Sequence, residues 1–200
     1  MDELVIKVLE ESLEVVERFI RHCQDKLVFL AQRVADAFVR ERKLMICGNG
    51  GSAADAQHMA AEFVNRFQLE RPPLPALALT TDTSVITSIA NDYEFSQVFS
   101  KQVKALGLEG DVLLGISTSG NSENIVSAVR EAKKMGIFTA GFLGNGGGKL
   151  LDMVDIALVV ESDKTPRVQE AHALAGHILC RLVDYILFQS HVTSSSKATP

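Results

Sequence analysis

Residues 111–136 read DVLLGISTSGNSENIVSAVREAKKMG. The opening DVLLGI is a short, nearly continuous apolar run, as expected of a parallel strand buried on both faces. STSGNS follows at 117–122, and a stretch with helical spacing begins near Ser122. Strand, small-residue loop and helix in immediate succession form the repeating unit of open α/β sheets, whose ligands bind outside the carboxyl ends of the strands. The stretch thus predicts a fold and the edge of the sheet where chemistry should lie.

The same alternation extends outward on both sides. Apolar runs at 43–47, 75–79, 138–142 and 155–160 join 111–116 as expected strands, with helical stretches between most of them. They predict an α/β, doubly wound, flavodoxin-like parallel sheet of five strands. Upstream, Leu4, Val5, Val8, Leu9, Leu13, Val16, Phe19 and Ile20 recur at helical spacing, as do Leu27, Leu30, Val34 and Phe38 beyond a polar step at Gln24-Asp25. Two helices over 1–41 are expected there, a pair suited to oligomerisation. Downstream, Pro166 at a helix-start position and periodic Val168, Ala171, Leu174, Ile178, Leu182 and Ile186 predict a long closing helix over 165–188. One domain over 1–190 is expected, with a small, polar, disordered tail at 191–200.

Composition narrows the function classes. Two hundred residues, 46% of them hydrophobic, can bury one substantial core. The net charge is −5, and no Lys/Arg run exceeds a pair such as Lys133-Lys134, so the electrostatic footprint of a nucleic-acid binder is missing. Cys23, Cys47 and Cys180 are an odd, scattered set with no CxxC pair, which fits neither a disulfide framework nor a thiolate zinc site. The acidic, amphipathic start is unlike a signal peptide, and no stretch approaches 18 uninterrupted apolar residues. A soluble, cytoplasmic protein without a membrane partner is the expectation.

Three strand-to-helix loops carry small residues: GNGGS at 48–52, STSGNS at 117–122 and GNGGG at 144–148. The first has Ala53 in the last position of a dinucleotide-type G-x-G-x-x-G, and the third has Leu150 after Lys149 where a P-loop needs Ser or Thr. In isolation such loops are also simple tight turns. STSGNS is more informative, because Ser117, Thr118, Ser119 and Ser122 offer hydroxyls beside a helix N-terminus and the loop holds no cation. A phosphate monoester suits neutral donors of that kind, whereas N-capping accounts for only one of the hydroxyls.

His58 and Glu62 stand at i, i+4 on the helix expected from about Ser52, on one face. Gln169, Glu170, His172 and His177 form a second polar set on the closing helix, and Gln169 and His177 lie about 80° apart around it. His58, Glu62, Gln169 and His177 make a nitrogen and oxygen donor set for one divalent ion such as zinc, provided that the two helices meet.

LLGISTSGNSENIVSAVREAKKMG resembles the sugar isomerase (SIS) domain, and CGNGGSAADAQHMAAEFVNRF, SIANDYEFSQVFSKQV and TPRVQEAHALAGHIL resemble the phosphoheptose isomerase family in particular. The likeness spans roughly residues 1–190. It implies a homotetramer with active sites at subunit interfaces, one zinc per subunit, and conversion of sedoheptulose 7-phosphate to D-glycero-D-manno-heptose 7-phosphate for lipopolysaccharide or other surface glycans. By the same likeness Asn49, Gly50, Gly51, Asn91 and Asp92 contact the sugar, while Ser52, Ser117, Thr118, Ser119 and Ser122 hold the phosphate. His58, Glu62, Gln169 and His177 match zinc-ligand positions, Glu62 and Gln169 also being on the substrate. Glu62 and His177 match the acid/base pair. NRFQLERPPLPALAL at 65–79 also resembles the replication initiator-associating proteins, which share the fold but act by binding. Glu62 and His177, whose positions that group does not keep, favour catalysis over that non-catalytic reading. A phosphosugar-sensing regulatory domain would need an attached DNA-binding element, and no basic helix-turn-helix precedes the sheet.

Overall fold

A computed structural model describes residues 1–189. The expected tail at 191–200 lies outside the described residues. Five parallel strands, β1 (Leu44–Gly48), β2 (Ala76–Ala78), β3 (Val112–Ser117), β4 (Phe138–Gly144) and β5 (Ile156–Val160), stand in the order β2-β1-β3-β4-β5. The doubly wound, flavodoxin-like expectation holds, and every strand falls within two residues of its expected span. Side chains on both strand faces are buried. Leu44, Ile46, Val112, Leu114, Phe142 and Leu158 face one core with α1 (Asp2–Val39), α2 (Gly51–Val64) and α6 (Thr165–Asp184). Met45, Cys47, Leu113 and Leu143 face a second core with α4 (Ser100–Leu106) and α5 (Glu123–Lys134), beside which α3 (Thr83–Asp92) lies with no fully buried residue.

The amino end differs from expectation in one respect. A single unbroken helix of 38 residues replaces the expected pair. Gln24 and Asp25 are polar but are not helix breakers, and no glycine or proline occurs between Asp2 and Val39. The buried stripe Phe19, Cys23, Leu27, Leu30, Ala31 and Val34 runs straight through the step. Residues 1–10 are exposed, with Leu4, Val5, Ile6 and Leu9 more than half so. The early turns are tied to the start of α6, where the Arg167 guanidinium donates to the Val8 carbonyl at 3.0 Å and Ser12 Oγ donates to Glu170 at 2.6 Å.

The closing helix continues as a π-helical turn over Tyr185–Gln189. The combined segment is long and apolar enough to cross a membrane. Its Val168, Ala171, Ala175, Leu179 and Val183 instead fill the core against α1, α2 and the sheet, so it is the core helix of the fold. Helices α2 and α6 lie side by side and run in the same direction, with Gly51 beside Gln169, Met59 beside Gly176 and His58 beside His177.

Candidate active site

The strand order reverses between β1 and β3, so their carboxyl ends open a crevice, as at the switch point of any open α/β sheet. The loops lining it are the first two of the three identified in the sequence. Asn49, after β1, and Asn124, in the first turn of α5, exchange amide hydrogen bonds of 3.0 and 2.8 Å across the gap. This pair links the loop before α2 to the first turn of α5, whose N-terminal ends carry partial positive charge.

Ser122 occupies the N-cap of α5, yet its hydroxyl makes no capping bond and lies 3.1 Å from Ser117 Oγ. Capping therefore does not account for it. The Ser117 Oγ in turn accepts from the Gly120 amide at 3.1 Å, and Ser119 Oγ accepts from the Asn121 amide at 3.2 Å. The loop is a ring of small donors held by its own backbone. Its shape is buttressed by the third glycine loop, 144–148, which packs directly on it. Gly120 has φ +66°, and a Cβ there would lie 1.9 Å from the Gly147 carbonyl oxygen. The Lys149 amide donates to Asn121 Oδ1 at 3.0 Å and the Leu150 amide to the Gly120 carbonyl at 3.0 Å. GNGGG is a backbone support, which explains why it meets neither nucleotide motif.

Beside the β1 loop, Gly48, Asn49, Gly50, Thr80, Ile86 and Phe95 line a cavity of about 140 Å³. Ligand pockets usually enclose about 300 Å³ or more. This cavity by itself is small for a whole sugar phosphate.

The acid and base candidates meet farther along the α2–α6 seam. His58 Nε2 lies 3.0 Å from Glu62 Oε1 and 3.3 Å from His177 Nε2. Phe67, from the loop after α2, stacks on the His177 ring with centroids 5.5 Å apart and planes at 23°. Two imidazole nitrogens facing each other at 3.3 Å either share a proton or ligate a common cation. About 3.3 Å is also the nitrogen–nitrogen edge of a tetrahedron built on zinc–nitrogen bonds of about 2.0–2.1 Å. The donor types and this spacing fit zinc. Gln169, the fourth expected ligand, lies two helical turns earlier against the α2 N-terminus, where a Cβ on Gly51 would meet its Nε2. Among the described residues no group of three His, Cys, Asp or Glu side chains is placed to hold a metal ion, so the fit rests on the His58–His177 spacing and the donor types alone.

A cavity of about 20 Å³, room for one water, adjoins this group and is lined by Asp55, His58, Met59, His172, Ala173 and His177. His172 is buried between Phe19 and Phe142, and its Nε2–H donates to the Leu143 carbonyl at 3.1 Å. Burial in this apolar setting pushes its pKa down to about 4, against the weaker upward pull of the Leu143 bond. The ring is therefore neutral when folded and protonates near pH 6.5 only when unfolded. Between those values the unfolded chain binds more protons, so stability is complete above about pH 6.5 and is lost as pH falls toward 4. About 2 kcal/mol of this contribution is expected to be gone at pH 5. Urea titrations at pH 7.5 and pH 5 check it: His172→Gln should show a shallower fall than the unsubstituted protein, and equal falls would exclude His172 as the cause.

Of the remaining sequence candidates, Ser52 is buried in the first turn of α2. Thr118 is half-buried in the STSGNS loop. Asn91 and Asp92 end α3, exposed and bonded to each other at 2.9 Å. Glu170 turns away toward Ser12 and Arg167. Sequence reasoning missed Asn124, whose only signal is an amide side chain in the first turn of a helix, and Asp55, a carboxylate one turn before His58. It also missed Arg71, which lies in an aperiodic proline-rich loop.

Residues 8–144 match the SIS domain family. Over 188 residues the chain is 58% identical to the phosphoheptose isomerase of Desulfovibrio desulfuricans, covering 94% of this chain and 90% of that protein. It is similar to the solved structure of a phosphoheptose isomerase from Neisseria gonorrhoeae, with 42% identity, a TM-score of 0.87 and coverage of 92% of this chain and 98% of that one. The corresponding values for a phosphoheptose isomerase from Francisella tularensis are 40%, 0.88, 91% and 97%.

Proposed function

The chain belongs to the phosphoheptose isomerases of the SIS domain family, and from that membership we propose that it interconverts sedoheptulose 7-phosphate and D-glycero-D-manno-heptose 7-phosphate at the crevice between β1 and β3. It is an aldose–ketose isomerase, and its product supplies heptose for surface glycans. The observation that carries the site assignment is the meeting of Glu62, His58 and His177 across the parallel helices α2 and α6, α2 starting at the crevice that the hydroxyl loop lines.

Moving a carbonyl between C2 and C1 requires removing a proton from one carbon, forming an enediol, and returning a proton to the other. Glu62 is the base: its carboxylate takes the C1 proton and delivers it to C2. His177 opens the ring and moves the proton between the two oxygens, its imidazole held flat by Phe67. Ser52, Ser117, Thr118, Ser119 and Ser122 hold the phosphate at the N-terminal end of α5, and this anchor converts an encounter into a fixed approach. Asn49, Gly50, Gly51, Asn91 and Asp92 contact the sugar, as does Gln169. A zinc held by His58, Glu62, Gln169 and His177 would polarise the carbonyl as a Lewis acid.

The enzyme acts as a cytoplasmic homotetramer with its sites between subunits. The shallow single-chain cavity and the exposed apolar start of α1 support that arrangement. Proton NMR of the purified protein with sedoheptulose 7-phosphate in D2O tests the whole reading. An aldoheptose 7-phosphate should form with solvent deuterium entering at the exchanging carbon, and the same preparation should run as a tetramer and hold one zinc per chain. A folded, metal-loaded protein with neither turnover nor exchange would favour the non-catalytic binding reading instead.

A further inference from the structure

The loop after α2, residues 65–75, places an arginine where few charges are found. The Arg71 side chain is 1% exposed, and its Nε donates to Asp184 Oδ1 at 2.9 Å. One terminal nitrogen donates to the Phe63 carbonyl at 2.7 Å and reaches the Asn65 and Pro72 carbonyls at 3.3 and 3.2 Å. The other donates to the Glu62 carbonyl at 2.9 Å. Carbonyls in the last turn of a helix have no intrahelical partner, and a cation there also meets the negative end of the helix. Arg71 answers that need at the end of α2, and its anionic partner closes the end of α6.

These two helix ends carry the reacting groups. Glu62 turns its side chain to His58 and accepts from Arg71 at its carbonyl, while His177 stands two turns before Asp184 on α6. From the same loop Phe67 stacks on His177. Among the described residues no other charged group joins α2 and α6 near the site with so many bonds, and a planar fork suits a carboxylate and several carbonyls together. We propose that Arg71 is a positioning residue of the isomerisation, a buried clamp that sets the approach of the Glu62 carboxylate to the His177 imidazole. This rests on reading Glu62 and His177 as the acid/base pair. Misplacing a reacting group by about 1 Å costs on the order of a hundred-fold in rate, so a loosened clamp registers in turnover before it registers in binding.

The test compares Arg71→Lys and Asp184→Asn with the unsubstituted enzyme, using Glu62→Gln as reference. Lysine keeps the charge, but with all its donors on one nitrogen it cannot span Asp184 and the Glu62 and Phe63 carbonyls as the fork does. Arg71→Lys is expected to unfold cooperatively, to keep KM within about three-fold, and to lose about ten- to a hundred-fold in kcat. With sedoheptulose 7-phosphate deuterated at C1, its isotope effect on kcat should rise, because proton transfer has become slower relative to the other steps. Asp184→Asn, nearly isosteric, should show the same pattern to a smaller degree and serves if the lysine variant does not fold. A folded variant with unchanged kcat overturns the proposal. So does a kcat loss matched by lost folded protein with an unchanged isotope effect, which is the signature of a purely structural role. If Glu62→Gln keeps near-normal turnover, the acid/base reading itself fails and takes the clamp with it.

Discussion

Glu62→Gln should lower kcat about a thousand-fold while leaving the fold and KM for sedoheptulose 7-phosphate nearly unchanged. The amide is isosteric with the carboxylate and can still bond His58, but it cannot accept a proton from carbon. The His58 contact that it alters is too exposed to matter much for stability, the His58 side chain being 54% exposed, and exposed polar contacts of this kind contribute little. Melting should thus hold while chemistry fails. Stopped-time NMR of aldoheptose formation, with a binding titration of the variant by calorimetry, separates the two. Turnover within a few-fold of the unsubstituted enzyme would move the base to another residue. Loss of binding alongside turnover would make Glu62 chiefly a contact to the sugar.

Gly120→Ala should act at the other end of the substrate. The position needs a positive φ that alanine adopts only at a cost of about 1–3 kcal/mol, and the new methyl would sit inside van der Waals contact of the Gly147 carbonyl. The contact is backbone to backbone, so no side chain can rotate away. The two loops must separate, taking Ser119 and Ser122 with them. Phosphate contacts act in ground and transition states alike, so KM should rise ten-fold or more with a smaller change in kcat. Initial rates over a wide substrate range read this directly. An unchanged KM in a folded variant would mean that the phosphate does not lie in the STSGNS loop.

The strands were legible because each is buried on both faces, which forces a continuous apolar run with no competing pattern. The Gln24-Asp25 step was misread because two polar residues on the exposed side of a helix look like a turn when read along one dimension. Only glycine, proline or a capping pattern would have justified a break. His58 with Glu62 was legible from spacing alone. Their meeting with His177 depends on α2 and α6 packing in parallel and in register, and periodicity carries no information about that. GNGGG showed that it was unusual but not why, since its partner is the backbone of another loop. Arg71 left no trace, because the property that matters is the ends of two helices reaching one buried guanidinium.

The seam between α2 and α6 also has a temporal meaning. His58 and His177 are 119 positions apart, and α6 is the last regular helix of the described chain. During synthesis the phosphate loops and all five strands leave the ribosome before the imidazole that completes the acid/base group. A chain stopped before α6 lacks both the core helix and the imidazole that faces His58. On the proposed reading α6 both seals the core and brings His177 to His58 and Glu62, so the acid/base group assembles only as the core closes.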